Sequence, residues 1–280
     1  MTKPIDIFNE WINSEEVKAK NLSPISIKNY ERTAKNLNFG ILNGQPTIIK
    51  KLKENYENPN TQSSYLNMII LLRKFKDLDV DKLIKLRNTL KLEIDKHRKN
   101  NLEEANGKLP SYEYLENQLQ YLVGIKYIIN YLFINFSFRN KDINLRYLDD
   151  IPTDKEDENY IIVKPKFIML IINDYKTQKS YGKKIFRITD KKFRKEIIDR
   201  KLKDGDYLIG RPKGGKYSIS NFNDVVLKYT IDQLGEAKLF KIIMKHLIDK
   251  KDYNKIEELS KSRGTSLDTL IKSYNVYNTK

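Results

Sequence analysis

Apolar residues recur at helical spacing through the first hundred positions, and that spacing predicts a bundle of helices. Ile5, Phe8, Trp11 and Ile12 fall on one helix face. Ser23-Pro24 reads as an N-cap followed by proline at the first helical position, and Ile27, Tyr30, Ala34 and Leu37 continue an apolar stripe that Phe39-Gly40 closes. Residues 48–56 predict a short third helix, and Asn60-Thr61 caps a fourth that carries Tyr65, Ile69, Leu72 and Phe75 on one side. A strongly charged helix follows over about 80–99. Its end, residues 100–110 (NNLEEANGKLP), carries glycine and proline and predicts an interdomain linker.

Beyond that stretch, helices are expected at 113–120 and 121–136. The period then changes. Residues 160–163, 167–173 and 184–188 are rich in β-branched and aromatic side chains and are broken by Pro165 and Tyr181-Gly182, which predicts a three-stranded antiparallel sheet. Helices return at 192–201, at 220–234 after the Gly214-Gly215 turn, and from Ala237 onward. The expected fold is therefore mainly α with a small antiparallel β-sheet, in two domains, 1–105 and 106–280. No internal repeat or low-complexity tract interrupts it.

Composition narrows the chemistry. The 280 residues hold 53 basic and 37 acidic side chains, a net charge of +16. The excess is uneven: between Lys176 and Lys216 fifteen basic residues face five acidic ones, so +10 of the +16 lies in that stretch. A field of this kind favours polyanions, nucleic acid before an anionic membrane surface. An AT-rich coding bias toward Lys, Asn, Ile and Tyr accounts for part of the total but not for its concentration. With no cysteine, disulfides, thiolate nucleophiles and cysteine-metal sites are all excluded. Two histidines, His97 and His246, make a dedicated zinc site improbable. No apolar run is long enough for a membrane span, and residues 1–15 do not form a signal peptide, so an intracellular protein is expected.

One stretch carries a sharper signal. In LFINFSFRNKDINLRYLDD (132–150) an apolar helix ends at Arg139, Asp142 follows three residues later, and Leu145, Arg146, Tyr147 and Asp149 complete a Leu-Arg-aromatic-x-Asp run. This resembles the first active-site box of the tyrosine recombinases, the phage-integrase family. SPISIKNYERTAKNL and NTQSSYLNMIILLRKF are similar to the two most recognisable helices of that family's small core-binding (SAM-like) domain. The resemblance implies a helical core-binding domain at 1–105, a catalytic domain at 106–280, double-stranded DNA as partner, several copies assembling on DNA, and no cofactor or metal.

It also implies roles. Arg139 matches the first arginine, whose planar fork can hold two phosphate oxygens, and Asp142 is its acidic partner. In NDYKTQKSYGKKIFRI, Lys176 matches the hairpin lysine that acts as general acid, with Lys179 as competitor. Ser262-Arg263-Gly264-Thr265-Ser266 resembles the family's turn before the nucleophile. Tyr274, nine residues after Thr265, has the spacing of that nucleophile, with Tyr277 in reserve. Lys179, Lys183, Lys184, Lys213, Lys216, Lys238, Lys241 and Arg263 are expected as nucleic-acid contacts.

Two positions depart from the pattern. Thr265 stands where the family has histidine or tryptophan. In AKLFKIIMKHLID, Phe240 stands in the place of the second arginine, and the preceding histidine falls at Glu236 or Ala237. Losing one preorganised donor typically costs about 100- to 1000-fold in rate. The expected function is thus DNA strand cleavage and rejoining through a phosphotyrosine, weakened or lost. The alternative is a recombinase-derived structural DNA-binding protein, for instance of a large DNA virus or mobile element. A basic helical adaptor for protein or RNA is a third reading.

Overall fold

The computed structural model describes residues 2–19, 22, 24–106, 109–151, 157–268 and 270. By internal contacts the chain forms two compact units, Met1–Ala105 and Asn106–Lys280.

The first unit is helical: α1 (Pro4–Ile12), α2 (Glu15–Ala19), α3 (Pro24–Asn36), α4 (Gln45–Asn55), α5 (Pro59–Phe75) and α6 (Asp81–Asn106). Ile7, Phe8 and Trp11 of α1 are buried, as are Ile48 and Leu52 of α4 and Leu66, Ile69 and Leu72 of α5, so the stripes read from spacing meet in one core. α5 packs against α1, α3 and α4. Its Arg73 is buried, and its guanidinium donates to the carbonyls of Ile41, Asn43 and Asp79, fastening the segments on either side. Gln45 does similar work for α6, its Oε1 accepting from the backbone of Lys82 and Leu83.

Three expectations need correction here. The cap of α5 is Asn58, not Asn60-Thr61: its side-chain oxygen accepts from the backbone N–H groups of both those residues, with Pro59 at the first helical position. The short α2 was not expected. The predicted linker at 100–110 is helical as far as Asn106, because its Leu-Glu-Glu-Ala run prolongs α6. Gly107 and Lys108, like Ser23, lie outside the described residues.

The second unit opens with α7 (Tyr112–Tyr121) and α8 (Gly124–Phe136), followed by strands β1 (Leu145–Leu148), β2 (Asn159–Val163) and β3 (Ile168–Ile172). A single helical turn, α9 (Gln178–Tyr181), precedes β4 (Lys184–Ile188); α10 (Lys191–Asp199), α11 (Ile219–Tyr229), α12 (Glu236–Asp249) and α13 (Tyr253–Arg263) complete the described elements. α8 is the hub. Ile128, Ile129, Leu132 and Phe133 are all but inaccessible, and the helix packs against α7, α10, α11, α12 and α13.

The fold is mainly α with one small sheet, ordered β1-β2-β3-β4. β2–β3 and β3–β4 are antiparallel, but β1 joins parallel to β2, which makes the sheet four-stranded and mixed rather than three-stranded and antiparallel. The extra strand is the Leu-Arg-Tyr-Leu run at Leu145–Leu148, short and poor in turn residues, so only its pairing identifies it as a strand. Residues alternate across the sheet: Ile161, Leu170 and Ile172 face the main core, whereas Tyr160, Ile162, Met169 and Ile171 form a small cluster on the other face. On β4 exposed residues alternate with more buried ones, as befits the strand at the sheet's edge.

The expected helix at 220–234 ends at Tyr229. Asn130, wholly buried on α8, donates to the Tyr229 carbonyl and accepts from the Ile231 N–H, which holds the chain in a tight turn there. The helix expected from Ala237 onward breaks between α12 and α13, where Lys251 takes a left-handed φ of 56°.

Candidate anion site around Arg139

α8 stops because Ser137 adopts φ 52°, ψ 35°, a left-handed cap that turns the chain sharply. Two residues on, Arg139 begins a closed turn. Its N–H donates to Oδ2 of Asp142 at 2.9 Å, and its carbonyl accepts from the Asp142 N–H at 2.9 Å. Asn159, buried at the start of β2, secures this turn from below. Its Nδ2 donates to the carbonyls of Lys141, Asp142 and Asp174, while its Oδ1 accepts from the N–H groups of Asn173 and Asp174. One amide thus joins the turn after α8 to the start of the β3–β4 connection.

The Arg139 guanidinium reaches across 124 residues to the end of α13. Nη1 donates to the Arg263 carbonyl at 2.5 Å, and Nη2 donates to Oγ1 of Thr265 at 2.9 Å. The turn it grips is tied down on every side. Oγ of Ser262 donates to the Phe136 carbonyl at 2.6 Å, Thr177 Oγ1 donates to the Gly264 carbonyl at 2.6 Å, and Lys184 Nζ donates to the Ser262 carbonyl at 2.9 Å. Gly264 has φ +61°, and a Cβ there would collide with Thr177 Oγ1 and lie 2.9 Å from Lys184 Nζ. Only glycine fits that approach.

The electrostatics are unusual for a surface. Asp142 is 2% exposed, and burial pushes its carboxyl up to about 6 against the opposing pull of Arg139 and Lys184. Its Oδ1 has no hydrogen-bond partner among the described residues. Burial, with the nearby Arg139 charge, lowers Lys184 to about 8, while Asp142 resists the fall. The Lys184 ammonium lies 3.9 Å from the ring centroid of Tyr175. Two perturbed groups beside one guanidinium is the pattern expected where a site must hold or exchange charge.

Phe240 is buried, 1% exposed, and the guanidinium of Arg263 lies 4.1 Å from its ring centroid. Arg263, expected as a nucleic-acid contact, is itself only 8% exposed. Its Nη1 donates to the Ser137 carbonyl and its Nη2 to Oε1 of Glu236 at 3.2 Å, so its charge is spent inside the protein. Glu236, one of the two positions aligned with the missing histidine, also accepts from the Asn140 N–H.

The remaining expected residues spread outward. Lys176 is exposed in the β3–β4 connection, next to the Thr177 that holds Gly264. Lys179, Lys183, Lys213, Lys216 and Lys238 are exposed and Lys241 is half-buried, with Lys216 Nζ 3.4 Å from a Glu158 oxygen. Lys184, grouped with these by sequence, is the one drawn in beside Arg139. Tyr274 and Tyr277 lie outside the described residues. His246 stacks on Tyr112 with centroids 4.2 Å apart and has Nδ1 3.3 Å from Glu113. It lines a pocket of about 430 Å³ that includes none of Arg139, Lys184 and Thr265.

Sequence reasoning missed Asn159 and the burial of Lys184. Nothing near Asn159 marks it, and Lys184 is one lysine among many. Among the described residues no cluster of three His, Asp or Glu is placed to hold a metal ion, and no helix is long and apolar enough to cross a membrane.

No protein-family profile and no curated protein sequence matches the chain. Among solved structures it is similar to one described as a crystal structure of XerA recombinase, at 14% identity and a TM-score of 0.40, over 99% of this chain and 94% of that one.

Proposed function

We propose that the chain is a duplex-DNA-binding protein built on the tyrosine-recombinase plan, with a phosphate held at the Arg139 site. The observation that carries this reading is the clasp between Arg139 and the 263–265 turn. It joins an arginine beyond a buried helix to the turn from which Tyr274 follows in sequence. The exposed lysines of 176–216 extend the positive surface, and many lysine–phosphate contacts make affinity fall steeply with salt. Several copies then assemble on one DNA.

Strand cleavage by Tyr274, with Lys176 or Lys179 as proton donor, is weakened in this reading. Phe240 supplies no charge, Thr265 only a hydroxyl, and Glu236 is a carboxylate that takes up the charge of Arg263, so that neither is left for a phosphate. That last feature favours a second reading, in which the chain is a structural DNA-binding protein of a large DNA virus or mobile element that does not cleave.

A suicide duplex, nicked so that the cleaved end diffuses away, separates the two. A covalent adduct that Tyr274→Phe abolishes supports the enzyme. Tight, salt-sensitive binding with no adduct supports the structural role. Absence of duplex binding at low salt sinks both.

A further inference from the structure

We infer that Lys184, the first residue of β4, is the second cation of the anion site and shares one bound phosphate group with Arg139. The inference rests on the proposed reading for its ligand and deepens it, because the sequence pattern assigns the hairpin role to Lys176 and gives Lys184 only a general surface contact.

The geometry favours Lys184. Its ammonium and the Arg139 guanidinium grip adjacent carbonyls of the same turn, those of Ser262 and Arg263. Lys184 is half-buried and forms no ion pair among the described residues; Asp142 is the carboxylate that acts on it, from beyond contact distance. A carbonyl and the Tyr175 face are its close partners, both neutral. Burial outweighs the pull of Asp142 and leaves the ammonium under-compensated, and an incoming phosphate offsets that cost. The buried arginine nearby, Arg263, already has its carboxylate in Glu236. Gly264 leaves the space above the turn open to the lysine.

The ionisable groups facing Lys184 are Arg139 and Asp142 from the turn after α8 and Tyr175 and Tyr181 from the β3–β4 connection. Burial makes it an ammonium that loses its proton near pH 8. Its share of phosphate binding therefore fades as the medium turns alkaline, whereas that of a guanidinium does not.

The test uses the full chain as wild type, Lys184→Met (which keeps the stem over Tyr175) and Lys184→Arg, with two probes: a short duplex followed by fluorescence anisotropy, and inorganic phosphate followed by thermal stabilisation. Lys184→Met is expected to bind the duplex about tenfold more weakly, as for loss of one charged hydrogen bond, and to lose most of the stabilisation by phosphate. Combined with Arg139→Ala, it should add little to that single change. Between about pH 7 and about pH 9 wild type should weaken more than Lys184→Arg. Equal binding of both probes by wild type and Lys184→Met overturns the inference. If phosphate discriminates the two proteins but no duplex is bound, the inference stands and the DNA reading fails. If neither probe binds wild type, both fail.

Discussion

The guanidinium of Arg263 lies 4.1 Å from the ring centroid of Phe240, the residue that stands where a second arginine was sought in the sequence. A cation is therefore present beside that position, but it comes from the end of α13 and is already paired with Glu236. Sequence alignment alone could not find it, because the two residues are joined only through the fold. Arg263→Met should destabilise the protein by about 3–5 kcal/mol, the usual cost of stripping one partner from a buried ion pair. Glu236→Gln with Arg263→Met should recover part of the loss. Chemical denaturation of the single and double variants checks this, and additive losses would refute the pairing.

Gly264 makes a sharper prediction. Its positive φ and its closeness to Thr177, Lys184 and Tyr175 leave no room for a methyl group. Gly264→Ala is expected to cost about 2–4 kcal/mol, combining backbone strain with overpacking. The melting curve measures it directly. A neutral substitution would mean that the turn is not packed against the β3–β4 connection.

Asn159→Leu should be nearly as damaging despite the same branching at Cγ. The change removes an amide that serves three carbonyls and two N–H groups from the centre of the second unit. An expected loss of about 2–4 kcal/mol follows from leaving such groups buried without partners. Asn159→Asp should also fail, since a carboxylate cannot donate to the carbonyls. Urea titration of both variants decides it.

Acid and alkali should each relieve a different buried charge at this site. Asp142 is raised from 3.8 to about 6, so its favourable contribution is complete below about pH 4 and disappears as the pH climbs through 6. Lys184 is lowered from 10.5 to about 8, so its contribution is complete above about pH 10.5 and disappears as the pH drops through 8. Between those windows both groups carry charge at the expense of stability. Asp142→Asn should flatten the profile on the acid side and Lys184→Met on the alkaline side. Profiles parallel to wild type in both variants would contradict the burial on which these shifts depend.

Much of the architecture could be read before any coordinates. The three strands around Tyr160, Ile168 and Lys184 appear close to their expected bounds, because β-branched runs between turn residues leave few other options. α8 is equally plain from its many apolar residues and ends at Phe136 as expected, although it starts at Gly124 and not at Tyr121, which closes α7. β1 was not, since four residues of mixed character reveal themselves only through the neighbour they pair with. At the site, Arg139 stood out by its context, but Lys184 and Lys176 are indistinguishable as letters in a stretch of fifteen basic residues. What separates them is depth, which follows from where β4 begins. The part played by Asn159 depends on three segments converging, and no local pattern records that.

The grip of Arg139 on the last turn of α13 has a consequence for the integrity of the molecule. A fragment cut before Ser260 would retain α8 and every strand, yet the arginine would lose the Arg263 carbonyl and the Thr265 hydroxyl that its two terminal nitrogens hold. Protease sensitivity within α13 should therefore track loss of anion affinity closely, while the sheet beneath persists.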